Sequence, residues 1–140
     1  MTAGPSSRRV YFEDVQTGVP LETPAMTLTE THVALFASLT TARPGEPGTI
    51  PDLLPLCLSS GLGWRVPQPP LVVLAFMGFE WRFFKPARVG DTIRSVSTTV
   101  AKRSMKDGGV VIEERSILNQ HGEVVQSGRL TLLVAKRPAA

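Results

Sequence analysis

One apolar stretch decides the fold of this chain: Asp52-Leu53-Leu54-Pro55-Leu56-Cys57-Leu58-Ser59-Ser60-Gly61-Leu62-Gly63-Trp64. After Asp52 it carries no charge until Arg65. A surface helix has one apolar stripe and one charged face, whereas a helix that is apolar all round is buried. Asp52 suits the N-cap, and Pro55 falls in the first turn, where a missing N–H costs little. The stretch therefore predicts a buried central helix that starts at residue 53.

The sequence after Trp64 has the pattern of strands. Residues 71–77 and 79–84 are apolar or aromatic runs on either side of Gly78, which predicts a bulge there. Three longer strands are predicted at residues 91–103, 110–118 and 123–135. Lys-Asp-Gly-Gly and Asn-Gln-His-Gly hairpin turns separate them, so these strands are antiparallel neighbours. The sequence thus predicts an α+β domain in which one long antiparallel sheet wraps around one central helix.

Another helix is predicted before the central one. Thr29 suits its N-cap, and Glu30 favours the positive end of a helix. The inward stripe of this helix is predicted to be Val33, Phe36, Ala37 and Leu39. Residues 40–51 hold three prolines and two glycines, so they are expected to form a loop.

The length of 140 residues fits a single domain over 1–140, with frayed tails expected at 1–9 and 136–140. No signal peptide is expected, because no apolar run follows the first arginines, and no run is long enough to cross a membrane. One cysteine, Cys57, rules out an internal disulfide, and its place among leucines predicts an inert core thiol in a reducing cytoplasm.

The net charge of +3 comes from scattered basic residues, with no basic arm. This distribution argues against a nucleic-acid partner. A mildly positive surface suits an anionic small partner, such as a phosphate-bearing acyl carrier, or plain solvation.

Two stretches carry a resemblance to a known family. One runs from Tyr11-Phe12-Glu13-Asp14 and Gly18 to residues 27–37, and the other is FFKPARVGDT at residues 83–92. They resemble the N-terminal part of the MaoC-like hydratases and dehydratases and that family's phenylalanine–lysine–proline turn, which ends in glycine–aspartate–threonine. The likeness extends over residues 11–135. It implies a hot-dog fold and a dimer whose two sheets join edge to edge.

The resemblance also implies a reaction. The family adds water to, or removes it from, the α,β carbons of acyl thioesters, whose carrier is coenzyme A or the phosphopantetheine of acyl carrier protein. No other cofactor is implied. Its catalytic aspartate and histidine lie on the loop before the central helix, and backbone N–H at the start of that helix polarises the thioester carbonyl.

This chain departs from the family at that loop. Thr41-Ala42 stand at the family's glycine–aspartate, and Pro47 stands near its histidine. Pro51-Asp52-Leu53 stand at the alanine–histidine–glycine before the helix. Both expected catalytic side chains are missing, whereas the backbone N–H of Leu53 is retained as a candidate for binding the thioester carbonyl.

Two carboxylates are catalytic candidates in place of the missing pair. Asp52, at the start of the central helix, is expected to stay ionised and to serve as a base, or else only to cap the helix. Glu46 is a candidate if the loop turns it inward, and otherwise a solvated loop residue.

Four further residues are candidates for substrate binding. Arg43 suits a substrate carboxylate or a coenzyme phosphate, or is simply exposed. Thr40 and Thr41 suit hydrogen bonds to substrate or to the helix end. Glu80 suits a substrate contact if it faces the helix, where it would need a partner. His32 and His121 are expected at the surface, so no metal site is predicted.

Three functions remain open. The first is a hydratase- or dehydratase-type enzyme with an altered loop, which includes isomerisation or cyclisation of a carrier-bound chain. The second is a non-catalytic subunit that partners an active hydratase, and the third is a hot-dog thioesterase. The expected assembly is a homodimer, or a heterodimer with another hot-dog subunit, with no membrane partner.

Overall fold

The predicted strands form one sheet, and the apolar stretch that follows Asp52 forms a helix that packs against it. The computed structural model describes residues 8–41, 43 and 45–139. Its helices are α1 (Glu30–Thr40) and α2 (Leu54–Leu62), and single 3-10 turns lie at Phe12–Asp14 and Gly63–Arg65. Its strands are β1 (Leu21–Glu22), β2 (Met26–Thr27), β3 (Val73–Phe83), β4 (Thr92–Met105), β5 (Gly108–Leu118) and β6 (Val124–Val134).

The four long strands lie side by side in the order β4-β5-β6-β3, and every pair is antiparallel. The short strands β1 and β2 both pair with β4. The predicted antiparallel sheet is therefore confirmed. The two predicted runs around Gly78 form the single strand β3, whose register shifts between Phe76 and Gly78, as expected for a bulge.

One side of α2 packs on the sheet. Leu54, Pro55, Ser59 and Leu62 are buried. Leu54 joins a core cluster that also contains Leu28, Ile50, Ala87, Ile93, Ile117 and Val125. The central helix thus lies where the sequence predicts it, against the inner face of the sheet.

The predicted N-cap is wrong. The N-cap of α2 is Leu53, and no side chain of the described residues caps this end of the helix. The reason is the turn between the two prolines. Leu54 N–H donates to the Pro51 carbonyl at 3.0 Å, so the backbone itself uses a donor that a capping carboxylate would have accepted from. The Asp52 carboxylate is left outside the helix end.

The other side of α2 is open in the single chain. Leu53 is 50% exposed and Trp64 is 75% exposed. Cys57 is also exposed, so the predictions of a helix buried all round and of a core thiol are wrong for one chain. The sheet covers only one side of α2, and an apolar second side needs another surface to cover it.

The first helix begins as predicted. The Thr29 side chain accepts from His32 N–H, and Thr29 N–H donates back to His32 Nδ1 at 3.0 Å, so the two residues cap α1 reciprocally. Phe36 and Val33 pack against the core cluster. Leu39 is 85% exposed, so its place in the inward stripe is wrong.

The two ends of the described chain meet. Phe12 N–H donates to the Ala135 carbonyl, and Arg137 N–H donates to Glu13 Oε2 at 2.9 Å. This backbone donor holds the pKa of Glu13 below its ordinary value. The tail predicted from residue 136 is therefore tied down at its start, and residues 1–7 of the other predicted tail lie outside the described residues.

Candidate functional site

A cleft of about 390 Å³ opens between α1, the loop that follows it and the start of α2. Its lining is Val33, Phe36, Ala37, Arg43, Gly45, Glu46, Thr49, Ile50, Pro51 and Asp52. The walls from α1 are apolar, and the charged side chains come from the loop and from the turn before α2. The cleft brings together three of the predicted site residues: Arg43, Glu46 and Asp52.

Backbone hydrogen bonds hold the loop in place beside the sheet. Thr49 N–H donates to the Glu46 carbonyl at 3.1 Å, and Val89 N–H donates to the Gly48 carbonyl at 2.9 Å. Gly48 has φ +83°, a left-handed conformation that favours glycine. Glu46 is therefore carried on a tight turn that is anchored to the segment before β4.

That anchoring segment is the FFKPARVGDT stretch. The Asp91 carboxylate accepts from Arg88 N–H at 2.9 Å and from Gln120 Nε2 at 3.0 Å. Asp91 thus fixes the turn onto which the loop docks, which confirms its predicted structural role.

The charged groups of the cleft are available to a ligand. Within the part of the chain that the structure describes, the side chains of Arg43, Glu46 and Asp52 form no hydrogen bond or ion pair. All three residues are exposed. A substrate carboxylate, phosphate or proton can therefore reach them without breaking an existing contact.

The turn before α2 supplies a free backbone donor. Leu54 N–H is taken by Pro51, and Pro55 has no N–H. Among the described residues, Leu53 N–H donates to no protein acceptor. A backbone N–H at the positive end of a helix can stabilise charge on a carbonyl oxygen.

A smaller cavity of about 160 Å³ lies on the other side of the same turn. Asp52 lines this cavity as well as the cleft, so it stands between the two. The remaining walls are Ile50, Pro55, Phe83, Phe84, Lys85, Pro86, Ala87 and Gln126. Gln126 was not among the predicted site residues. The feature of the sequence that could have identified it is the strand alternation, which places the polar Gln126 on the same inward face of β6 as the buried Leu130 and Leu132.

Four predicted binding residues line neither cavity: Thr40, Thr41, Glu80 and Leu53, whose backbone N–H is the candidate group. Thr40 Oγ1 donates to the Phe36 carbonyl at 2.7 Å, and Thr41 Oγ1 donates to the Thr40 carbonyl at 2.7 Å. Both hydroxyls turn back to their own backbone. Glu80 is exposed on β3, and its neighbour Trp81 is the side chain that packs against the core.

The surface histidines are placed as predicted. His32 caps α1, and His121 is exposed in the β5–β6 turn. Within the described residues, no group of histidine, cysteine, aspartate or glutamate has the arrangement of a metal site.

Comparisons with known proteins agree on the fold. No protein-family model matches the chain. The monoamine oxidase regulatory protein of Archaeoglobus fulgidus superimposes with a TM-score of 0.85 at 28% identity, over 93% of this chain and 97% of that chain. A MaoC-like dehydratase from Rhodospirillum rubrum superimposes with a TM-score of 0.76 at 22% identity, over 93% of this chain and 99% of that chain. This chain has the MaoC-like hot-dog fold.

One relative adds a likeness in sequence to this MaoC-like fold. The mesaconyl-CoA hydratase of Cereibacter sphaeroides is 38% identical over 81 residues, which are 56% of this chain. The match spans 24% of the length of that hydratase.

The MaoC-like resemblance places the family's catalytic pair on the loop that lines the cleft. By that resemblance the family's histidine falls near Pro47 or has no counterpart, and its aspartate falls at Ala42, which lies outside the described residues. Asp52 lines the cleft, and Leu53, the next residue, is the N-cap of α2. No helix in the described residues is long and apolar enough to cross a membrane.

Proposed function

We propose that this MaoC-like domain binds an acyl thioester, carried by coenzyme A or acyl carrier protein, in the cleft between α1 and α2. The observation that carries the proposal is the pairing of a free backbone donor with a free carboxylate at the start of α2, beside a cleft whose α1 wall is apolar. Among the described residues, Leu53 N–H has no protein acceptor, and the carboxylate of the preceding residue, Asp52, has no partner. The mesaconyl-CoA hydratase match supports the same substrate class.

The chemistry that suits this arrangement is hydratase-type. With the thioester carbonyl on Leu53 N–H, negative charge that develops on its oxygen is stabilised by the donor. The Asp52 carboxylate takes a proton from water as the water oxygen bonds to the β carbon, and the same proton is then delivered to the α carbon. Dehydration is this sequence in reverse. A carboxylate with no competing protein partner is free to hold the proton between the two steps.

We propose a dimer built through the edge strand β3. Large apolar side chains are exposed along and beside this strand, namely Val73, Leu74, Phe76, Met77, Phe79, Phe83 and Phe84. A long apolar edge strand is a site for pairing with another chain. The simplest partner is a second copy of this chain, and in the resulting homodimer that copy would also cover the open side of α2. A cytoplasmic location stays a prediction from the single cysteine.

A non-catalytic role is the second candidate, and one observation favours it. The resemblance places the catalytic aspartate at Ala42 and the catalytic histidine near Pro47 or nowhere in the loop, and the loop residues 40–51 contain no histidine. A subunit that keeps the carbonyl-binding turn and lacks the pair can complete the site of an active hot-dog partner. A thioesterase would also use a carboxylate near the central helix, here Asp52.

Turnover assays separate these functions. The purified protein is incubated with crotonyl-CoA, and loss of the enoyl thioester and release of free thiol are followed in parallel. Hydration without thiol release is expected, and Asp52→Asn is expected to lower the rate by about a hundredfold, because one acid–base group contributes that much. Asp107→Asn, in the exposed β4–β5 turn, is the matched control and should keep the wild-type rate.

Other outcomes contradict the catalytic proposal. Thiol release would indicate a thioesterase. A full rate in Asp52→Asn would exclude Asp52 as the acid–base group. Binding without turnover, together with co-purification of a chain that carries the intact aspartate–histidine loop, would indicate the non-catalytic subunit.

A further inference from the structure

Two polar side chains connect the sheet to the turn that starts α2. Trp81 lies on β3 and Gln126 lies on the neighbouring strand β6. Trp81 Nε1 donates to Gln126 Oε1 at 2.9 Å, and Gln126 Nε2 donates to the Asp52 carbonyl at 2.8 Å. The indole uses the acceptor of the amide, so the amide group can point its donor only toward the turn.

This connection is buried at its centre. Gln126 is 3% exposed and faces the same side of β6 as the buried Leu130 and Leu132. It is therefore a polar side chain at a position where the other side chains are apolar. A buried amide costs free energy unless both of its ends are hydrogen-bonded, and here both ends are. The site for the indole is also shaped for it, because a Cβ on Gly128 would lie 2.6 Å from Trp81 Cε3.

The turn has few other ties. Ile50 N–H donates to the Ala87 carbonyl before it, and Leu54 N–H closes it by donating to Pro51. Between these two hydrogen bonds, among the described residues, only the Gln126 side chain forms a hydrogen bond to the backbone of Asp52. Ile50 and Leu54, on either side, pack in the core cluster, and the Gln126 amide ties the Asp52 backbone itself to the sheet.

We infer that Gln126 is a positioning residue, oriented by Trp81, that holds the turn before α2 and thereby keeps Asp52 in the lining of the cleft. What the turn does for a ligand rests on the proposed function, whereas its rigidity does not need a ligand. Gln126 also lines the smaller cavity, so a ligand group that enters there lies next to the amide and close to the Trp81 indole.

Hydrogen exchange without ligand tests the positioning alone. In Gln126→Leu, the Leu54 amide, whose bond closes the turn, is expected to exchange about tenfold faster than in the wild type, because about one hydrogen bond is lost. Gln126→Glu keeps an acceptor for Trp81 and loses the donor to Asp52, so it should exchange like Gln126→Leu. Asn119→Leu removes another buried amide, which holds the β5–β6 turn, and should leave Leu54 exchange unchanged. Equal Leu54 exchange in wild type and Gln126→Leu would overturn the inference.

Tryptophan fluorescence tests the consequence for a ligand. The chain has two tryptophans, so Trp64→Phe leaves Trp81 as the reporter. In that background, crotonyl-CoA should change Trp81 emission, and Gln126→Leu should raise the Kd about tenfold and abolish the emission change. Asn119→Leu should keep the wild-type Kd and the wild-type emission change.

The two experiments together separate the positioning role from the proposed function. Faster Leu54 exchange in Gln126→Leu with no binding of crotonyl-CoA by the wild type would reject the proposed function and support the positioning role. Binding with a Kd that Gln126→Leu leaves unchanged would overturn the positioning role and leave the proposed function intact.

Discussion

The backbone of Asp52 is held in place, whereas its side chain is not. Its carbonyl accepts from Gln126, which ties its backbone to the sheet, while its carboxylate has no partner among the described residues. A side chain that capped the helix would be engaged with backbone N–H groups and would be a poor base. The turn closed by Pro51 and Leu54 is therefore what leaves this carboxylate available.

Glu123, at the end of the β5–β6 turn, gives a prediction about pH. The Lys85 ammonium, 2.8 Å away, and the Asn119 amide hold the pKa of Glu123 below its ordinary value. The folded state thus favours the ionised form, so its stabilisation is complete above the ordinary glutamate pKa and is lost as the pH falls through the lowered one. Urea unfolding should show Glu123→Gln less stable than wild type at pH 7, with the difference vanishing at acid pH. A difference that grows as the pH falls would contradict this assignment.

Single residues show how far the sequence could predict the site. That Arg43, Glu46 and Asp52 lie together at the cleft was predictable because all three belong to the loop and turn before α2, and their roles toward a ligand stay predictions. The sequence could not show that the Thr40 and Thr41 hydroxyls bind their own backbone and not a ligand, because local backbone geometry decides which acceptor a hydroxyl reaches. Gln126 and Trp81 were missed because their contact joins residues 45 positions apart in sequence.

At the scale of elements, the β3–β6 pairing depends on a glycine. A Cβ on Gly128 would lie 1.9 Å from the Glu80 carbonyl oxygen and 2.6 Å from the Trp81 ring, and neither neighbour can move without opening the sheet. Gly128→Ala is therefore expected to lower the free energy of unfolding by about 2 kcal/mol or more.

Gly78→Ala is the matched control for this substitution. It lies on the same strand pair, and a Cβ there meets nothing within 4 Å. Chemical denaturation should show a much smaller change in the free energy of unfolding for Gly78→Ala. Equal stability of the two variants would mean that β3 packs on β6 differently.

The elements themselves were largely predictable, because strand alternation and hairpin turns are local signals. The exposed side of α2 was not. The periodicity of Leu53, Cys57 and Trp64 shows only that this side is apolar, and it does not show whether the same chain or another one covers it. The N-cap was wrong for a related reason, since the Pro51–Leu54 backbone bond is a competing local interaction.

At the scale of the whole molecule, the open side of α2 and the edge of β3 predict a dimer. Light scattering should give twice the chain mass of 15.1 kDa. Phe79→Lys, on the exposed edge strand, should shift the protein toward a single chain, because a charge on that strand opposes pairing. Val100→Lys, at a similarly exposed apolar position on β4, should leave the dimer intact. A wild-type mass equal to that of one chain would contradict the proposed dimer.

If the cleft between α1 and α2 is the acyl-thioester site, a side chain that fills it must abolish binding, and calorimetric titration with crotonyl-CoA measures this. Ala37 lines the cleft, whereas Ala34 lies exposed on the same helix, so tryptophan at each position gives a matched pair. Wild type and Ala34→Trp should bind with the same Kd, and Ala37→Trp, which fills the cleft, should not bind detectably. Equal binding by both variants, or none by the wild type, would contradict the claim.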